Sequence, residues 1–191
     1  SELKKVVMSQ FPELSVAIAQ QLREQANNSG HRRLLICSGE AQWCRSQALA
    51  ILNSALTLQE VGLYVGDRLP ATDGLFQSVT ARESLKWLGR EVHVLVYDAH
   101  SGFDADAFGA VTGALCGGGL LVLLLPEQWP NFQDPEYRRM AVYPSSVDLI
   151  SGYYLKRINR LFFDPAHASI ITQDGQCHTQ SLRQSESSPS S

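Results

Sequence analysis

Two short stretches bring together residue types that can do chemistry. The apolar run His93–Asp98 (HVLVYD) ends in Asp98, with His100 two positions on, and the apolar run Arg33–Ser38 (RLLICS) ends in Ser38. A carboxylate at the end of an apolar strand is how NTPases hold magnesium beside nucleotide phosphates. A histidine within reach of a nucleophile and an orienting acid is the arrangement of general-base catalysis. Ser38, Asp98 and His100 are therefore the strand-end candidates, and each has a plainer reading. Without a phosphate loop, Asp98 is expected to cap the Gly102–Asp104 turn or to bond backbone amides. His100 is expected to be a surface histidine.

The turn after Ser38 decides against a nucleotide at that point. Gly39-Glu40-Ala41-Gln42-Trp43 has neither the GxGxxG spacing of a dinucleotide loop nor the glycines and Lys-Ser/Thr pair of a phosphate loop. Glu40 would repel phosphate at a helix start, so a plain strand-to-helix turn is expected.

A second group of residues is cationic. Arg32 and Arg33 precede the first strand, and Lys156, Arg157 and Arg160 fall in the last turns of a helix predicted over residues 146 to 162, near Arg138 and Arg139 in sequence. Cations at a helix C-terminus offset its dipole, so a solvated helix end and an RNA-contacting patch are both open. The formal charge of -3 excludes a whole-domain basic footprint, and any RNA contact must be local. The four cysteines lie far apart, with no CxxC or Cys/His cluster, which points to reduced, cytosolic thiols rather than zinc or a disulfide framework. The longest apolar run, Leu120–Pro126, is about a third of what a bilayer crossing needs, and no signal peptide is read. The chain is expected to be cytoplasmic, with no membrane partner.

These candidates need elements to place them. Residues 12 to 26 read as an amphipathic helix, with Pro12 in its first turn, and residues 41 to 56 as a helix rich in Ala and Leu that follows the strand at 33 to 38. Gly62–Gly66 is a strand, and Thr80-x-x-Glu83 fits a capping box for the next helix. The strand at 93 to 98 leads to a helix over 104 to 116, closed by Gly117-Gly118-Gly119 as a flexible stop. Strands follow at 120 to 125 and 168 to 172, and a turn at Asp174-Gly175 can fold residues 177 to 182 back as a hairpin. Trp43, Trp87 and Trp129, with Tyr153 and Tyr154, read as core or domain-interface anchors before they read as base-stacking platforms. Strands apolar on both faces, alternating with helices, predict a doubly wound α/β fold, Rossmann-like or flavodoxin-like, with a mostly parallel sheet of about five strands and helices on both faces. Residues 1–183 form one domain, and the Ser-rich residues 184–191 a linker or tail.

Several of these segments together resemble a known family. They are Arg32–Glu40 with Trp43-Cys44, Leu88-Gly89-Arg90-Glu91, Tyr97–Ala105 with Ala107-Phe108, and Leu121–Pro126. In order and approximate spacing they are similar to the N-terminal region of bacterial tRNA(Met) cytidine acetyltransferases, over roughly residues 10 to 175. The resemblance implies an RNA acetyltransferase that forms N4-acetylcytidine at the wobble position of elongator tRNA(Met), using acetyl-CoA and hydrolysing ATP or GTP. It implies a downstream helicase-like ATPase module and an acetyltransferase module in the same polypeptide, with tRNA(Met) a candidate partner of this domain. No catalytic, cofactor or metal residue of the family has a matching position here, so none is assigned and the fragment itself is read as noncatalytic. The competing reading is a stand-alone flavodoxin-like small-molecule enzyme using Asp98 and His100. A deep pocket joining Ser38, Asp98 and His100 would favour it.

Overall fold

The structure, a computed structural model, describes residues 2–67, 74–102, 104–126 and 167–181. The chain runs α1 (Glu2–Ser29), β1 (Arg33–Ser38), α2 (Ala41–Ala55), β2 (Gly62–Val65), β3 (Phe76–Val79), α3 (Ala81–Ser84), β4 (Val92–Asp98), α4 (Ala105–Gly113), β5 (Leu115–Leu125), β6 (His167–Thr172) and β7 (Cys177–Ser181). The strands form one seven-stranded sheet in the order β3-β2-β4-β5-β1-β6-β7. Every pairing is parallel except β6 with β7. The doubly wound α/β fold is therefore as the sequence predicts, and the sheet extends past the expected strands by the short β3.

The unbroken apolar runs have a direct cause. Successive strand side chains point to opposite faces, and both faces are covered. Leu34, Ile36, Leu95, Tyr97, Leu121 and Leu123 pack with Phe108 and Val111 of α4 on one side. Leu35, Cys37, Val96, Val122 and Leu124 pack with α1 and α2 on the other, where Trp43, Ile51 and Leu52 are buried. Trp43 and Trp87 are core residues, as expected; Trp129, Tyr153 and Tyr154 lie outside the described residues.

The capping box is present: Thr80 N–H donates to Glu83 Oε2 at 3.0 Å and Glu83 N–H to Thr80 Oγ1 at 3.3 Å. The helix it opens is only α3, continued by a 3-10 turn over Leu85–Trp87. α1 begins at Glu2, so Pro12 lies inside the helix rather than in its first turn.

The glycine triplet is not a helix stop. α4 ends at Gly113, and β5 is already paired at Leu115, opposite Val92. The next paired residues are Val94 and Leu120, so the glycines form a bulge in β5. The bulge passes tightly beneath the end of α1. A Cβ on Gly118, whose φ is +80°, would lie 3.0 Å from Asn27 Oδ1, and one on Gly117 would lie 3.1 Å from the Gly30 carbonyl oxygen. Close approach between α1 and β5, invisible to local propensity, fixes these residues as glycine.

Candidate functional site at the strand ends

The connection after β1 leads to α2 on one face and the connection after β4 leads to α4 on the other, leaving a crevice over the carboxyl end of β5. Ligands of doubly wound sheets bind in that position. The fold brings Ser38, Asp98 and His100 to this crevice and places Arg32 and Arg33, both half-buried, at the opposite end of the sheet. Lys156, Arg157 and Arg160 lie outside the described residues.

Among the described residues, the chain's own groups meet at this position. Asp98 has a fully buried carboxylate. Its Oδ2 accepts from Arg45 Nε and from the Tyr64 hydroxyl, both at 2.7 Å. Its Oδ1 accepts from the His100 backbone N–H at 3.0 Å and faces His100 Nδ1 at 3.1 Å. Both oxygens are thus committed, which matches the backbone-amide reading and leaves no lone pair aimed outward for a magnesium ion. Gly66 allows the approach, since a Cβ there would lie 2.9 Å from Asp98 Cβ.

His100 is not a surface residue: its side chain is 9% exposed, and its Nε2 lies 2.9 Å from the Gly39 carbonyl. The ring bridges the loops after β1 and β4. Its two ring nitrogens face the Asp98 carboxylate and the Gly39 carbonyl. Ser38 does not meet His100 Nε2; its hydroxyl donates to the Pro126 carbonyl at 3.1 Å. The first turn is closed as well. Glu40 N–H, the amide that would greet a phosphate, donates to Gln173 Oε1 at 2.8 Å, and Gly39 N–H donates to the Leu125 carbonyl at 3.0 Å.

The electrostatics follow from this packing. Burial pushes the Asp98 carboxyl up, but hydrogen bonds from His100, Arg45 and Tyr64 outweigh it and hold the group down at about 2. Burial, then the neighbouring Asp98 charge, raises the Tyr64 phenol. Sequence reasoning missed Arg45, Tyr64 and Gln173. The available signal was Arg45, the sole charged residue in the α2 sequence AQWCRSQALAILNSA.

All four cysteines are free thiols. Burial pushes the Cys37 thiol up to about 12, and burial and its neighbours Cys37 and Asp98 raise Cys44 further. At pH 8 a thiol reagent is expected to label exposed Cys177 within minutes, whereas Cys37 and Cys44 react only as the chain unfolds. Mass spectrometry of the labelled peptides with and without urea checks this. Among the described residues no cluster of His, Cys, Asp and Glu is suited to a metal, and no helix is long and apolar enough to cross a membrane.

The described residues form a mostly parallel, doubly wound α/β domain whose strand-end groups are tied to one another by internal hydrogen bonds. The family described as "tRNA(Met) cytidine acetyltransferase TmcA, N-terminal" matches residues 8–173, and the chain belongs to it. Among relatives named tRNA(Met) cytidine acetyltransferase TmcA, that of Nitrosococcus halophilus is 42% identical over 150 residues, covering 78% of this chain and 19% of its own length. The relative from Haloarcula marismortui is 36% identical over 142 residues, 73% of this chain and 18% of its own. That from Citrobacter koseri is 34% identical over 142 residues, 73% of this chain and 20% of its own. The chain thus spans about a fifth of the length of the relatives it matches.

Proposed function

We propose that residues 1–183 are the noncatalytic N-terminal domain of an RNA acetyltransferase, joined through residues 184–191 to the modules that carry the chemistry. The whole protein forms N4-acetylcytidine at the wobble position of elongator tRNA(Met), in the cytoplasm, with acetyl-CoA as acyl donor and ATP or GTP hydrolysed by a downstream helicase-like module. This domain supports that module and helps to position the tRNA. The observation that carries the reading is the family match over residues 8–173, in relatives of which the chain covers only about a fifth. The filled crevice adds support, because Asp98 and His100 are tied into the fold rather than presented to a substrate. The same bonds count against a stand-alone small-molecule enzyme.

Binding of the 191-residue chain to elongator methionine tRNA and to ATP, at two salt concentrations and with a scrambled RNA as control, tests the reading. Salt-sensitive, tRNA-selective binding without ATP binding is expected; clear ATP binding would overturn it. If Lys156, Arg157 and Arg160 contact phosphates, replacing all three with alanine in the full-length protein weakens tRNA binding. Its log-log salt dependence then flattens by roughly 0.7 to 0.9 per lost contact. An unchanged slope reduces the three cations to a solvated helix end.

A further inference from the structure

The amino ends of the strands contrast with the filled carboxyl ends. α1 and α2 both finish there, and between their carboxyl ends lies a cleft of about 320 Å³ whose walls include Arg23, Glu24, Asn28, Ser54, Thr57 and Glu60. The charge of its lining is one-sided. The Arg23 guanidinium is buried; its Nη groups donate to the Glu60 carboxylate and to the carbonyls of His93 and Gly118 while its Nε has no partner among the described residues, and the Arg23–Glu60 charges cancel within the wall. What remains is exposed Glu24 and the partial negative charges of two helix C-termini, neither of which has a basic residue in its last turn. Such a cleft repels phosphate and attracts a guanidinium or ammonium group.

Apolar surface surrounds the same end. Leu58, between the wall residues Thr57 and Glu60, is 98% exposed, and Leu88 and Leu75 are 61% and 48% exposed. Leu75 immediately precedes β3, Leu58 lies four residues before β2, and Leu88 four residues before β4. These three strands are neighbours in the sheet, so the leucines all precede strands at its amino end, and Leu58 is the one flanked by residues of the cleft wall. A large apolar side chain left exposed beside a charged cleft marks an interaction face.

We propose that this amino-end face docks a protein segment in which an arginine or lysine stands beside apolar residues, the cation entering the cleft and its neighbours covering Leu58. The occupant is a segment of the remainder of the same polypeptide, since relatives of this chain devote only about 19% of their length to the matching region. The proposal rests on the accessory-domain reading above and names the surface through which that role is exercised.

Photo-cross-linking tests it. In the full-length protein, Leu58→p-benzoylphenylalanine is irradiated with tRNA present, and the products are mapped by mass spectrometry. Cross-links to an Arg- or Lys-containing peptide of the same polypeptide are expected, with a yield about tenfold lower when Glu24→Lys is added. Glu24 is exposed, so that change leaves folding intact. A cross-link to RNA, no cross-link, or a yield indifferent to Glu24→Lys overturns the proposal. N4-acetylcytidine formation is measured on the unsubstituted protein in parallel. Its absence would sink the proposed activity while leaving the cross-link result to stand or fall by itself.

Discussion

Asp98→Ala is expected to destabilise the fold by about 3–5 kcal/mol, because it leaves the buried partners of a charged group without their acceptor. Arg45 Nε, the Tyr64 hydroxyl and the His100 amide all donate to that carboxylate. Urea unfolding of the variant checks the loss, and a midpoint within error of the parent would mean that the network is dispensable. Asp98→Asn separates charge from shape. The folded-state carboxyl sits at about 2, below the unfolded value of about 3.9. Its contribution is therefore complete above the unfolded value and is lost as pH falls through 4 towards 2. The asparagine variant should lose that part of the acid dependence, which unfolding curves at pH 5, 4 and 3 would reveal.

The second large effect lies at the other end of the sheet. Arg23→Met keeps the length and apolar stem of the side chain but removes the donors that serve Glu60 and the carbonyls of His93 and Gly118. Breaking a buried pair in this way costs about 3 kcal/mol or more. Burial pushes the Glu60 carboxyl up, while the Thr57 amide and Arg23 bring it below its ordinary value; without Arg23 it should titrate higher, a shift that NMR of the side-chain carboxyl can follow. The two networks share no residue. The costs of Asp98→Ala and Arg23→Met should therefore add to within about 0.5 kcal/mol in the double variant. A marked departure from additivity would show that the sheet transmits strain between its ends.

What the sequence makes legible is set by how local the cause is. The runs RLLICS, GLYV and LLVLLL declare buried parallel strands because both faces of each need apolar residues, and Thr80 with Glu83 declares a helix start because the bonds close within four residues. β3 escapes notice because FQSV is short and mixed, and pairing with β2 makes it a strand. The glycine triplet reads as a helix stop because local propensity offers that meaning; its real constraint is the passage of α1 overhead. His100 looks exposed because its second partner, Gly39, is 61 residues away in the chain. The candidate site was legible in part for the same reason. Strand-end logic locates Ser38, Asp98 and His100, but the donors that neutralise Asp98 arrive from α2 and β2, and no spacing in the sequence announces them.

The closed crevice also bears on how the domain behaves as cellular conditions change. A protein that binds a diffusible ligand in its folded state draws stability from it, and so its folded fraction follows the ligand's concentration. Here the groups in that position, His100 and Gln173, are part of the chain. They are present at constant stoichiometry and cannot be diluted or competed away by mass action, so the stability that these bonds contribute does not vary with the concentration of any ligand.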